Sequence, residues 1–109
     1  MVSQSPALRQ YQLIAALSNQ MRAKAEAQQW DDVVRLGARY SHAVEGLRRF
    51  DPLGAEDRTQ RRELLTRILD DDARIRHLAA PELLRLGHLM GAIKRQRTVL
   101  RTYHHSASE

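Results

Sequence analysis

The residues best suited to chemistry are a run of three carboxylates, Asp70-Asp71-Asp72, and five histidines, His42, His77, His88, His104 and His105. Adjacent aspartates suggest a cation site or an acid pair. On a helix, however, successive side chains point about 100° apart, so the three carboxylates cannot converge on one ion. They fit a polar face with ion pairs to Arg67, Arg74 or Arg76. Asp71 nevertheless falls near the middle of an apolar stripe and Asp72 at its edge, a conflict that calls for a partner charge. No two histidines inside a helix stand three or four residues apart, so a helical zinc pair is not expected. There is no Gly-rich phosphate loop and no HExxH, and most Arg and Glu residues lie on outward faces rather than around a shared pocket. The expectation is a protein without catalytic residues, metal or cofactor.

The charge balance points to partners instead. Lys plus Arg total 18 against 13 for Asp plus Glu, and all but Lys24 and Lys94 of the 18 are arginine. They are scattered through the chain, with one late bias: from Arg85 to the C-terminus five basic residues face a single acid. Lys94, Arg95, Arg97 and Arg101 decorate the last helix, and a basic helix can enter a DNA groove. The other side of that helix is strongly apolar, and a basic apolar helix suits an acidic protein groove or a membrane surface equally well, so nucleic acid is the runner-up partner. The chain has no cysteine, in keeping with a reducing compartment, and no stretch approaches a membrane span. A cytosolic protein is expected.

These residues must be positioned by helices. The 109 residues fit one domain with one modest core, rich in Leu and Ala and poor in aromatics. The first helix is expected over about Ser5–Ala27, with Ser5 as cap and Pro6 at the first position. Leu8, Tyr11, Ile14, Leu17, Met21 and Ala25 form its stripe, and Leu13 widens it. The second is expected from Asp31 or Asp32, as cap, to Phe50, with Trp30 packing back as a staple. Val33, Leu36, Tyr40, Ala43, Val44, Leu47 and Phe50 line its inner face. After the Asp51-Pro52-Leu53-Gly54 break, a third runs from Glu56 or Asp57 to Leu78, with Leu64, Leu65, Ile68, Ile75, Leu78 and Ala79 inward. A fourth is expected from Pro81 to Tyr103, with Leu83, Leu86, Leu89, Met90, Ile93 and Leu100 on one face, and residues 104–109 fraying. The fold class is therefore all-α, an antiparallel bundle of four helices: a three-helix core over 1–80 and a detachable regulatory helix with its tail over 81–109.

The fourth helix carries the sharpest signal. Gly87 and Gly91 lie four residues apart, and each costs a helix about 1 kcal/mol relative to Ala. They admit two readings: close packing against a neighbour, or a helix kept marginal so that it can leave about Pro81. Leaving would expose about six large apolar side chains, on the order of 10 kcal/mol gross, so a partner has to refill the groove. Such stripes also drive dimerisation, and a homodimer is among the expected assemblies.

The order of features resembles a known family. Tyr11-Gln12-Leu13-Ile14 and Leu17-Ser18-Asn19-Gln20-Met21 open the series. Gln29-Trp30-Asp31-Asp32-Val33, Ile68-Leu69-Asp70-Asp71-Asp72 with Ile75-Arg76, Pro81-Glu82-Leu83 with Leu86, and Leu100-Arg101-Thr102-Tyr103 follow. From about residue 8 to 103 the chain is similar to FliT, the flagellar type III export chaperones. The resemblance implies a helical protein that binds the filament-cap protein FliD in the cytosol, prevents its premature polymerisation and delivers it to the export apparatus. It also implies binding to FlhC of the FlhDC activator, which represses flagellar genes, and contact with the export ATPase complex. A last helix that masks the client groove belongs to the same picture. On that pattern Leu64, Ile68, Ile75 and Leu78 would line the groove, and Leu86, Met90, Ile93, Leu100 and Tyr103 would form the mask.

Overall fold

A computed structural model describes residues 5–50, 53–82 and 85–107. Among these the chain forms four helices and no strand: α1 (Pro6–Glu26), α2 (Trp30–Glu45), α3 (Ala55–Ala79) and α4 (Gly87–Ala107). Short 3-10 turns, Gly46–Arg49 and Ala80–Glu82, follow α2 and α3. The expected all-α, four-helix bundle is what the chain adopts. Helix α1 packs on α2 and α3, and α4 packs on the same two helices from the other side. The α1–α2 and α3–α4 seams are therefore opposite edges of the bundle.

The start of α1 is as expected: the Ser5 hydroxyl accepts from the Leu8 amide at 3.1 Å, and Pro6 stands at the first helical position. Its end is a Schellman turn. The Gln29 amide donates to the Lys24 carbonyl and the Gln28 amide to the Ala25 carbonyl. Gln28 holds φ 60°, the left-handed position that glycine usually fills. This turn leaves no room for an aspartate cap. Helix α2 begins at once on Trp30, which is buried, while Asp31 and Asp32 sit inside the first turn, where acids suit the helix dipole.

Helix α2 is shorter than its apolar stripe suggests. It ends at Glu45 and tightens into the 3-10 turn. Gln10 of α1 accounts for the change: its Nε2 donates to the Ala43 carbonyl at 2.7 Å. Gly46 admits that amide, for a Cβ there would lie 3.0 Å from Gln10 Nε2. Helix α4 starts at Gly87, six residues after the expected Pro81, because Pro81 is taken into the 3-10 turn. Leu83 lies outside the described residues. The frayed tail is a correction too, since α4 continues through His104 to Ala107.

The core unites the apolar stripes of all four helices, with Leu8, Ile14, Met21, Val33, Val44, Leu65, Ile68, Ile75 and Leu100 among its fully buried side chains. Leu13 does not widen the inner stripe; it is 44% exposed on the outside of the α1–α2 seam.

Candidate functional site

The interface beneath α4 begins with side chains that the helical period turns inward. Leu86, Leu89, Ile93 and Leu100 are buried, and Met90, Val99 and Tyr103 are half-buried against the core. One close approach to α2 is at Gly37, where a Cβ would lie 3.0 Å from Leu89 Cδ1. The small-residue contact therefore exists, but on α2. Nothing lies within 4 Å of a Cβ at Gly87, and at Gly91 only the tip of Arg95 does, at 3.4 Å. Close packing does not explain either α4 glycine. Gly87 is the first helical residue, while Gly91 is an interior glycine that weakens the helix with no packing return.

The interface also holds polar groups. Gln96 is buried, its Nε2 reaching Glu45 at 3.4 Å and its Oε1 finding no partner among the described residues. The Tyr40 hydroxyl is buried and likewise without a hydrogen bond. Asp72 is 4% exposed, and Arg76 Nε stands 3.4 Å from its Oδ2. Burial pushes the Asp72 carboxyl up to about 6, against the opposing pull of Arg76 and of Arg97 and Arg101 on α4. Burial, with Asp72 and Asp71 nearby, also raises the Tyr40 phenol. A helix docked over a buried carboxylate and two unpartnered polar atoms is held less firmly than its apolar area alone implies, since each unpaired group costs about 1–3 kcal/mol.

The aspartate run splits as helical geometry requires. Asp70 is exposed, Asp71 turns to α1, and Asp72 faces α2 and α4. Asp71 accepts from Ser18 Oγ at 2.9 Å and from Arg22 Nη1 at 3.4 Å. Of the three expected arginine partners, Arg76 does pair with Asp72, whereas Arg74 grips Glu26 through two bonds of 2.7 and 3.2 Å. Sequence reasoning missed Ser18 and Arg22 as partners. The signal was present, because both lie on the side of α1 that carries Ala15 and Asn19, but nothing local paired that side with Asp71. Among the described residues no three His, Asp or Glu side chains are placed to hold a metal ion.

The structure also sorts the residues expected to line a partner groove. Ile68 and Ile75 point into the shared core. Leu64 lines a cleft between α1 and α3 with Gln12, Ala15 and Asn19, away from α4. Leu78 lies about four turns along the same helical row, half-buried. The α3 flank that faces α4 runs instead through Leu65, Leu69, Asp72 and Arg76, as shown by Asp72 beside Arg97 and Arg101 and by Thr66 Oγ1 at 3.5 Å from His104 Nε2. Leu86, Met90, Ile93, Leu100 and Tyr103 all face this interface or the core it closes. Of the four cations considered for nucleic acid, half-buried Arg97 and exposed Arg101 act electrostatically on Asp72, and Lys94 and Arg95 are exposed.

These features define a small helical bundle whose last helix covers its neighbours over a partly polar contact. No helix among the described residues is long and apolar enough to cross a membrane. The model of the family described as flagellar protein FliT matches residues 8–105. A flagellar protein FliT of Serratia proteamaculans is 33% identical, over 94% of this chain and 87% of its own length. That of Yersinia enterocolitica is 36% identical, over 88% and 82%. The crystal structure of flagellar protein FliT from Bordetella bronchiseptica superposes with a TM-score of 0.66 at 43% identity, covering 78% of this chain and 99% of that one. The chain belongs to the flagellar protein FliT family.

Proposed function

We propose that this protein is a cytosolic export chaperone of the flagellum, acting by binding and not by catalysis. It would hold the filament-cap protein FliD until export, keep it from polymerising early and bring it to the export ATPase complex. In the same reading it binds FlhC of FlhDC and so represses flagellar genes. The observation that carries the proposal is α4 itself. It is an amphipathic helix seated on α2 and α3 over the buried Asp72 and a Tyr40 hydroxyl without a hydrogen bond among the described residues, with its own buried Gln96 oxygen equally unpaired there and an unbacked Gly91 in its interior. Such a helix suits a mask that a client helix can displace. The groove it would uncover combines Ile68 and Ile75 with Leu65 and Leu69, while Leu64 and Leu78 would flank it from the α1 side.

The test is calorimetric titration of the C-terminal segment of the organism's own cap protein into three forms: the full chain, a chain ending at Ala80, and Gly91→Ala. The mask reading expects the truncated chain to bind more tightly, with a negative heat-capacity change from apolar burial. It expects Gly91→Ala, which stiffens α4 by about 1 kcal/mol, to bind about fivefold more weakly. Weaker binding by the truncated chain together with unchanged binding by Gly91→Ala would make α4 part of the site and sink the mask. No binding by any form would sink the chaperone assignment.

A further inference from the structure

The edge of the bundle opposite the α3–α4 seam carries a second apolar groove. Between α1 and α2 a recess of about 550 Å³ opens over exposed Leu13 and half-buried Phe50, with the buried Leu17 at its floor. Its lip carries Arg39, His42 and Arg49. At Arg39 it runs into a further recess toward Leu36 and Lys24, and at Phe50 into another toward Leu53. Together they follow α1 from Lys24 back to Pro6, 19 residues or ~28 Å of helix. The carboxylate in this row is Asp32, and it is already occupied by Arg35 and Lys24. Arg39 and Arg49 have no ion-pair partner among the described residues. The groove is thus an apolar trough whose lip carries Arg39 and Arg49 with no ion pair among the described residues.

We propose that the α1–α2 seam is a docking surface for an acidic amphipathic helix of another protein. Four turns of such a helix fit within the length of the trough. Its apolar row would cover Leu13 and Phe50, and carboxylates on its flanks would meet Arg39 and Arg49, as helix-in-groove recognition requires. A second copy of this chain fits poorly. A two-fold contact through the seam would bring two copies of the same Arg39- and Arg49-lined surface together in a chain of net charge +5. A nucleic-acid strand fits less well than a helix, because phosphates would meet Leu13 and Leu17 rather than water. The seam is separate from the α4 interface, so the protein could hold two helical partners on opposite edges at once.

The probe is a fluorescein-labelled helical peptide of about 15 residues with Leu at i, i+3, i+4 and i+7 and Glu on both flanks. Its counterpart carries Lys in place of Glu. Anisotropy titrations use the full chain. The acidic peptide should bind at least about tenfold more tightly than the basic one, and Leu13→Ser and Arg39→Glu should each weaken it by about tenfold. Amide shifts on binding should map to Leu13, Arg39 and Phe50. Both side chains substituted stand at the surface, and circular dichroism checks that the variants stay folded. Equal affinity for the two peptides overturns the proposal, as do shifts that map to α3 and α4. Displacement of the peptide by an oligothymidylate of about 15 nucleotides, with a steep salt dependence, would also overturn it in favour of a nucleic-acid face.

Discussion

Asp72 sets the pH response of the fold. Its carboxyl is raised from an ordinary 3.8 to about 6, because burial outweighs Arg76, Arg97 and Arg101. The folded chain therefore binds this proton more tightly than the unfolded chain. The stability it contributes is complete below about pH 4 and lost as pH climbs through 6, on the order of 2–3 kcal/mol in all. Asp72→Asn should raise the melting temperature at pH 7.5, and the gain should shrink to nothing by pH 4. A gain that persists unchanged to pH 4 would mean that the charge is not the cause. Gln28 offers a second residue-scale handle. It alone among the described non-glycine residues holds a positive φ, and the Schellman turn needs that conformation. Gln28→Gly should stabilise the chain by about 0.5–1 kcal/mol in chemical denaturation, whereas Gln28→Val should cost more than that.

Helix α4 differs from the other three in having an interior glycine that nothing uses. A methyl group at Gly91 meets only the flexible end of Arg95. Gly91→Ala should therefore stabilise the chain by about 1 kcal/mol and slow hydrogen exchange across α4 more than across α1. Gly37 is the opposite case. A Cβ there would lie 3.0 Å from Leu89 of α4 and 3.6 Å from Met21 of α1. Gly37→Leu should push α4 away at a cost of about 1–3 kcal/mol, read as exchange protection lost in α4 while α1 and α3 keep theirs. Uniform loss across the bundle would show that α4 does not open separately.

The whole molecule has two unlike edges. At the α3–α4 seam apolar surface is already covered by a helix of the same chain, over a buried polar cluster. At the α1–α2 seam apolar surface is open and lipped by arginine. Surface ion pairs such as Arg74 with Glu26 tie α1 to α3 between these edges, but both groups are exposed and contribute little to stability. The excess positive charge belongs to this scale: the chain's net +5 is displayed partly along a groove, where it can steer an acidic partner.

The number of helices, most of their apolar faces and the breaks between α2 and α3 and after Ala79 were legible in the sequence. Helical period, caps and breakers act within a few residues, so a local reading captures them. The conflict at Asp71 and Asp72 was legible as well, and it marked two buried charges. What their partners are was not. Ser18 lies 53 residues from Asp71 and Arg22 lies 49 away, and only packing α1 on α3 brings them together. The same holds for the groove. A helical stripe says which residues turn inward, not which neighbour each flank of the stripe meets. Leu64 and Leu65 are adjacent in sequence, yet one borders the cleft with α1 and the other lies on the row that leads to Asp72 and α4. That assignment depends on how four helices order themselves around one core, a set of long-range contacts that no window of sequence contains.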